Sequence, residues 1–349
     1  MLSKYAGGRY DLIQAGGGNS SVKLPDGTML IKASGCLLSE VEDGGGYVRV
    51  DNNKALAILD DPEVAQATDK RAGDAAASRL AGRSVTSGVG RPSIEMLMHS
   101  LMDKYTLHTH PISATVAMCS AGWEKRLTGA FDGSAAVGYR TPGLALALEL
   151  RKAVEGHVRT HGRKPSLVFL QNHGIIVSSD TPEEVVRITE DVSQRLEAKS
   201  GMDLSRYRLT TKVAALVNSL DDGNRIAWVT SDEYLTGILA RDKGLFLIPP
   251  FCPDKQVYCG TGVVELSSLE DAGPLKAYAE KHHEPPRVII YEGKMFFISK
   301  NVRKAKEMEE AMKFHAMILE KAGGEISCLT TDEIAYIAGW EAEKYRQEL

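Results

Sequence analysis

The segment Leu107-His108-Thr109-His110-Pro111 constrains this chain more than any other. From Tyr105 to His110 apolar and polar residues roughly alternate, which is the pattern of a β-strand. Side chains two apart on a strand share a face and lie about 6.5–7 Å apart along it. Two imidazoles so placed reach a single metal ion at about 2.0–2.1 Å each. A bare His-x-His pair also has a plain reading, because many such pairs are packing or surface histidines. A third ligand must come from elsewhere, and His173 in Gln171-Asn172-His173-Gly174 is the best candidate. Three histidines with an open fourth position are the donor set of a catalytic zinc site rather than a structural one. Glu95, upstream, is then the candidate acid or base.

The pattern around this strand reads as strands interleaved with helices. Val22-Lys23-Leu24 and Thr28-Met29-Leu30-Ile31-Lys32 flank Pro25-Asp26-Gly27, a hairpin signal. Ser93 to Lys104 reads as a helix after Pro92, with Ile94, Leu97, Met98 and Leu101 on one face. Leu144 to Val154 reads as another, after Thr141-Pro142-Gly143. Leu167 to Leu170 and Ile175 to Val177 read as strands, with His173-Gly174 in the turn between them. Thr181-Pro182-Glu183-Glu184 opens a long helix, with Thr181 as cap and Glu184 completing a capping box. That helix runs out near Asp221-Asp222-Gly223-Asn224, which places a domain boundary at 222/223.

The remainder, 223–349, predicts a smaller α+β unit. Gly244 to Pro250 reads as a strand. Val288 to Tyr291 and Met295 to Ile298 flank a Glu292-Gly293-Lys294 turn. Helices are expected over Val302 to Ala322 and Asp332 to Gln347, the last capped by Thr330 with Glu333. No internal repeat or low-complexity tract is visible.

At 349 residues, two domains are the ordinary expectation. A formal net charge of −4 gives no reason to expect nucleic acid or an anionic membrane as partner. No apolar run of membrane-spanning length occurs, and the start lacks the apolar core of a signal peptide. The cytoplasm is the expected compartment. The cysteines, Cys36, Cys119, Cys252, Cys259 and Cys328, are odd in number and scattered, which argues for reduced thiols.

A zinc ion on His108, His110 and His173 would act as a Lewis acid on a carbonyl or hydroxyl oxygen. It would stabilise an enediolate, whose charge develops on the oxygens it holds. Glu95 could then remove a proton from carbon beside the polarised carbonyl. Taken alone, Glu95 is equally a first-turn glutamate that complements the helix dipole. His99, one turn on, reads as a helix-surface residue or one that backs the ligands. Gly16-Gly17-Gly18-Asn19 fits neither G-x-G-x-x-G nor a Walker loop. It reads as a flexible turn, or as an anion cradle in which Gly18, Asn19, Ser34, Gly35 and Ser93 converge on a phosphate. His282-His283 reads as a solvated pair.

Gly-Gly-Gly-Asn-Ser-Ser, Lys-Ala-Ser-Gly, Arg-Pro-Ser-Ile-Glu, Leu-His-Thr-His-Pro and Leu-Gln-Asn-His-Gly occur in this order over roughly residues 10–215. Together they resemble the class II (zinc-dependent) aldolase and adducin superfamily. The resemblance implies a three-layer α/β/α domain over 1–222 around a mostly antiparallel sheet, usually in a homo-tetramer. It implies His108, His110 and His173 as ligands of zinc or another divalent metal, and Glu95 as acid/base. Gly18, Asn19, Ser34, Gly35 and Ser93 match phosphate-binding positions, although Ser93 is followed by Ile94 where short family members carry a second serine. A tyrosine donates a proton in the family; Tyr139 and Tyr207 are both open for that role. The nearest flavour is the aldolase part of rhamnulose-1-phosphate aldolase/alcohol dehydrogenase proteins, which the ending Gly339-Trp340-Glu341-Ala342-Glu343-Lys344-Tyr345-Arg346 also resembles. With no dehydrogenase part in this sequence, no NAD site is expected.

The expected function is therefore zinc-dependent aldol cleavage of a phosphorylated ketose or related sugar. A pentulose-phosphate 4-epimerase, a dehydratase and a decarboxylase of the same superfamily stay open. So does a non-catalytic scaffold like adducin, although such domains have lost the histidines kept here.

Overall fold

Strand and helix periodicities alternate along the chain and resolve into two compact units, Met1–Leu204 and Ser205–Leu349. The computed structural model describes residues 1–322 and 326–339. The division falls ahead of the expected 222/223. Gly201, at φ 70°, ends one helix in the left-handed conformation, and the next helix, Ser205–Asn218, belongs to the second unit. Two adjoining charged helices look like one long one in sequence.

The first unit opens with α1 (Leu2–Gly7), β1 (Asn19–Lys23), β2 (Thr28–Lys32) and β3 (Tyr47–Asp51). Helices α2 (Asn52–Ala57), α3 (Pro62–Ala65) and α4 (Lys70–Arg83) lead to β4 (Val85–Gly88). Then come α5 (Met96–Leu101), β5 (Tyr105–Thr109), α6 (Ile112–Met118), α7 (Trp123–Ala130) and β6 (Ser134–Val137). The unit ends with α8 (Leu144–His161), β7 (Leu167–Leu170), β8 (Gly174–Ser179) and α9 (Pro182–Ser200). Its single sheet has the order β4-β3-β2-β1-β5-β8-β7-β6 and is antiparallel except for β6 against β7.

All of β7 and nearly all of β8 are buried, because both faces of the sheet are covered. Val168, Leu170 and Ile176 pack with Met96, Leu97 and Leu150. Leu167, Phe169, Ile175 and Val177 pack with Trp123, Val185 and Leu196. Alternate side chains of a strand leave on opposite faces, so two cores sandwich one sheet. This is the three-layer α/β/α arrangement with a mostly antiparallel sheet that the sequence predicts.

The second unit contains α10 (Ser205–Asn218), β9 (Ile226–Val229), α11 (Glu233–Arg241), α12 (Pro253–Cys259) and β10 (Val264–Leu266). After α13 (Gly273–His282) follow β11 (Val288–Tyr291), β12 (Lys294–Ser299), α14 (Val302–Ala322) and α15 (Thr331–Ala338). Its sheet runs β10-β11-β12-β9, with only β10 and β11 parallel. Leu235, Phe246, Ile290, Phe297 and Met312 centre its core.

Four local expectations change. The helix predicted over Ser93 to Lys104 shrinks to α5, because an isolated bridge from Pro92 to Ala33 keeps its approach extended. The helix from Leu144 runs on to His161, ended by left-handed Gly162. Gly244 to Pro250 is no strand. Lys243–Leu247 forms a 3-10 turn that buries Phe246 and exposes Leu247. Thr181 makes no side-chain cap, and Glu184 instead accepts from Arg187 at 2.7 Å. The Thr330–Glu333 capping box does form. Residues 340–349, with the rest of the predicted last helix and most of the tail motif, lie outside the described residues. All five cysteines are free thiols. Among the described residues no helix is long and apolar enough to cross a membrane.

Candidate active site

β5 and the β7–β8 turn bring the three histidines together at one end of the first unit's sheet. His108, on β5 between β1 and β8, faces Asn19 on one side and Ile176 on the other. Its Nδ1–H donates to the Ile175 carbonyl at 2.9 Å, which leaves Nε2 free as a donor to metal. His110 follows the strand and is fixed by its backbone N–H, which donates to the Leu12 carbonyl at 2.8 Å. His173 sits in the turn, its N–H donating to Leu170. Gly174 must be glycine, since a Cβ there would lie 2.1 Å from the Thr109 carbonyl oxygen.

One nitrogen from each of the three rings lies within 4.8 Å of the others. The Nε2 atoms of His108 and His110 are 3.1 Å apart. Two donors on one tetrahedral ion at 2.0–2.1 Å are about 3.3 Å apart, so the histidines fit a divalent metal. Burial drives His108 and His110 toward the neutral, ligating form, His110 to about 3.

Glu95 stands at the N-cap of α5 with its carboxylate turned toward the cluster. Oε1 is 3.3 Å from His173 Nε2 and 3.7 Å from His108 Nε2. Oε2 accepts a hydrogen bond from the Asn19 side-chain amide. Burial opposes its charge, but His108, His173 and His110 together hold its carboxyl well below the usual carboxylate range. Glu95 is thus oriented toward the histidines and only 13% exposed.

The candidate anion residues are partly gathered. The Ala33–Pro92 bridge and the Ser34 N–H, which donates to the Arg91 carbonyl at 2.8 Å, place Ser34-Gly35 beside Ser93. Ser93 Oγ accepts from the Glu95 N–H at 3.3 Å. Asn19 spends its amide on Glu95, while its Oδ1 is buried without a partner among the described residues. Gly18 lies against His108, whose carbonyl would be 2.9 Å from an added Cβ. The glycine run is therefore a close approach of backbone to the histidine strand.

Sequence reasoning missed Lys32. Its ammonium is buried and donates to the Cys36 and Ala33 carbonyls beneath the Ser34-Gly35 loop. The signal was available in Lys-Ala-Ser-Gly, although a lysine ending an amphipathic strand ordinarily points to water. His99 is no surface residue. It is fully buried, hydrogen-bonded to Ser21 Oγ at 2.8 Å, and burial pushes it down to about 3. Tyr139 belongs to the same unit as the histidines, its N–H accepted by the Gln171 side chain two residues before His173. Tyr207 lies on α10 in the other unit.

Residues 3–199 match the model of the class II aldolase and adducin N-terminal domain. Among solved structures, the N-terminal class II aldolase domain of a conserved protein from Thermoplasma acidophilum is 23% identical, with a TM-score of 0.47, over 56% of this chain and 89% of that one. An L-fuculose 1-phosphate aldolase is 21% identical (TM-score 0.35; 56% and 84% covered). A sugar-phosphate aldolase from Thermotoga maritima is 17% identical (TM-score 0.39; 58% and 94% covered). At these values the likenesses carry no argument about substrate. A comparison with curated proteins returned no match. The family model spans more than half of the sequence and contains the whole histidine–glutamate cluster, so this chain belongs to the class II aldolase and adducin family.

Proposed function

We propose that the first unit is a metal-dependent lyase that makes or breaks a C–C bond in a phosphorylated ketose or related sugar through an enediolate. The observation that carries this is Glu95, an oriented carboxylate 3.3 Å from one imidazole of a three-histidine cluster that fits a divalent ion. A divalent ion, zinc first, held by His108, His110 and His173 supplies Lewis-acid polarisation and charge stabilisation at substrate oxygen. Glu95 removes the proton from carbon beside the carbonyl, and Asn19 fixes the direction from which it does so. Ser34, Gly35 and Ser93 form the anion end of the site, with Gly18 shaping its wall and Lys32 adding positive charge beneath the loop. Tyr139, on the rim, is the better placed of the two candidate proton donors. We place the catalytic unit in the cytoplasm as a homo-oligomer, in keeping with family habit. The adducin-like alternative loses ground because the donors are present and preorganised.

The test is proton exchange. Zinc-loaded protein is mixed with dihydroxyacetone phosphate in D2O and the C3 proton signal is followed by NMR. Exchange that falls by about 10²–10⁴-fold in Glu95→Gln is the expected result. No exchange by protein with its zinc bound would sink the aldolase reading and move the reaction to an epimerase, dehydratase or decarboxylase acting on another substrate.

A further inference from the structure

Strand pairing in the second unit repeats that of the later half of the first, row by row. In the first unit Ala135, Val168, Ile176 and His108 face one another across β6, β7, β8 and β5. In the second, Val264, Ile289, Phe296 and Val229 do so across β10, β11, β12 and β9. Each row runs parallel once and antiparallel twice. The helices hold matching places. α8 and α13 each connect the parallel pair. α6 begins four residues after His108, and α11 four after Val229. α9 begins six residues after Ile176, and α14 six after Phe296. The buried faces follow the same offsets. Ala114 and Met118 of α6 correspond to Leu235 and Leu239 of α11. Val185, Val192 and Leu196 of α9 correspond to Ala305, Met312 and Ala316 of α14.

Common topology alone would mean little, because hairpins and crossovers recur across unrelated folds. Register is more demanding, since a slip of one residue turns a whole strand inside out. Here three ladders and two helix starts agree at once.

We propose that residues 226–322 are a second copy of the metal-bearing half of the first unit, with its metal site replaced by internal ion pairing. Val229 holds the place of His108, and Ser231 that of His110. The turn Glu292-Gly293 replaces Gln171-Asn172-His173, and Glu292 takes nearly the backbone φ of Asn172, 48° against 54°. None of the three imidazoles survives. At that end of the second sheet the Thr230 hydroxyl donates to the Glu309 carboxylate. Lys313 pairs with Asp232 at 2.7 Å, and Asp232 also caps α11 through the Leu235 N–H. Where the first unit gathers three imidazole nitrogens, the second pairs Thr230 with Glu309 and Lys313 with Asp232. The second unit is thus a metal-free structural copy.

The test uses the full chain and cobalt(II) alone, read by its visible absorption and by equilibrium dialysis. The background carries alanine in place of His108, His110 and His173. Into it go Ser231→His and Gly293→His, at the places of His110 and His173. Ser231 and Gly293 are exposed, and nothing lies within 4 Å of a Cβ added at Gly293, although its φ of 65° strains any side chain placed there. The expected result is at least tenfold tighter cobalt binding than in the background, tightening further when Val229→His is added. Val229 is buried, so if the triple graft fails to fold, the double graft decides. A double graft with the background's melting curve and circular dichroism, but no gain in cobalt, overturns the repeat. So does a wild-type chain that binds a second ion which persists once His108, His110 and His173 are gone.

Discussion

At the residue scale the site depends on contacts between side chains far apart in sequence. His108 and His110 were legible because the end of β5 and the residue after it carry both within three residues, and His173 because its turn is bounded by apolar strands. The Asn19–Glu95 hydrogen bond was not, since its partners stand 76 positions apart and meet only because β1 pairs with β5. The sequence reading gave Asn19 to a phosphate; the structure gives its amide to Glu95. Asn19→Ala is therefore expected to slow proton exchange by about 10²-fold, the usual effect of a misdirected catalytic group. Metal content, measured by atomic absorption, should remain at the wild-type level. A loss of metal in parallel with activity would mean that Asn19 holds the histidine strand and does not orient the carboxylate.

At the element scale, α5 shows how a short helix can aim a base. Its six residues are too few to be stable alone, and its last carbonyls are held from outside. Lys23 Nζ donates to the Ser100 carbonyl at 2.9 Å and to Met102, and Lys164 donates to Met102 at 3.1 Å. Burial, and then the neighbouring Lys164, lower Lys23 to about 8 from the ordinary 10.5. Between those values the unfolded chain binds more protons at this site than the folded one, so this lysine's contribution to stability rises with pH from about 8 to 10.5. In Lys23→Met that rise is lost. Melting temperatures of the two proteins, measured across pH 7.5–10, should diverge upward for the wild type; parallel curves would show that Lys23 is solvated. Helix length at α5 was misjudged from sequence because the apolar face of Ile94, Leu97 and Leu101 has helical spacing. The Pro92–Ala33 bridge that delays the helix is a long-range pairing. Gly244 to Pro250 failed for the opposite reason, an apolar run in which only Phe246 and Pro250 are buried.

At the scale of the whole molecule, the two units have separate cores, and among the described residues only the first has a histidine group that could hold a metal. Ligand that binds the folded state stabilises by about 4 kcal/mol at a thousandfold excess over Kd. Calorimetric scans with zinc and with a chelator should therefore move one unfolding transition and leave the other. If both move together, the units unfold cooperatively. Individual strands of each unit were readable from alternation and turn residues, whereas the sheet arrangement of the first came from the family resemblance. The repeat between them was not, because it survives as register and helix offset while residues such as His108 and Val229 share no chemistry. Sequence comparison weighs residue identity, whereas strand pairing preserves only which positions face inward.

The Ile175 carbonyl that takes the His108 Nδ1–H has a thermochemical consequence. Most histidine sites must shed protons to receive a metal, so their affinity falls as the solution becomes acidic. Here the tautomer of His108 is chosen in advance and burial keeps His110 unprotonated down to about 3. An arriving ion therefore finds two vacant lone pairs with no competitor to evict. At pH 5, where free imidazoles are mostly protonated and zinc-bound water is not yet ionised, the heat of zinc uptake should track buffer ionisation enthalpy with a slope of no more than one proton, once the buffers' own zinc affinity is subtracted. A slope of two protons or more would show that these rings arrive charged.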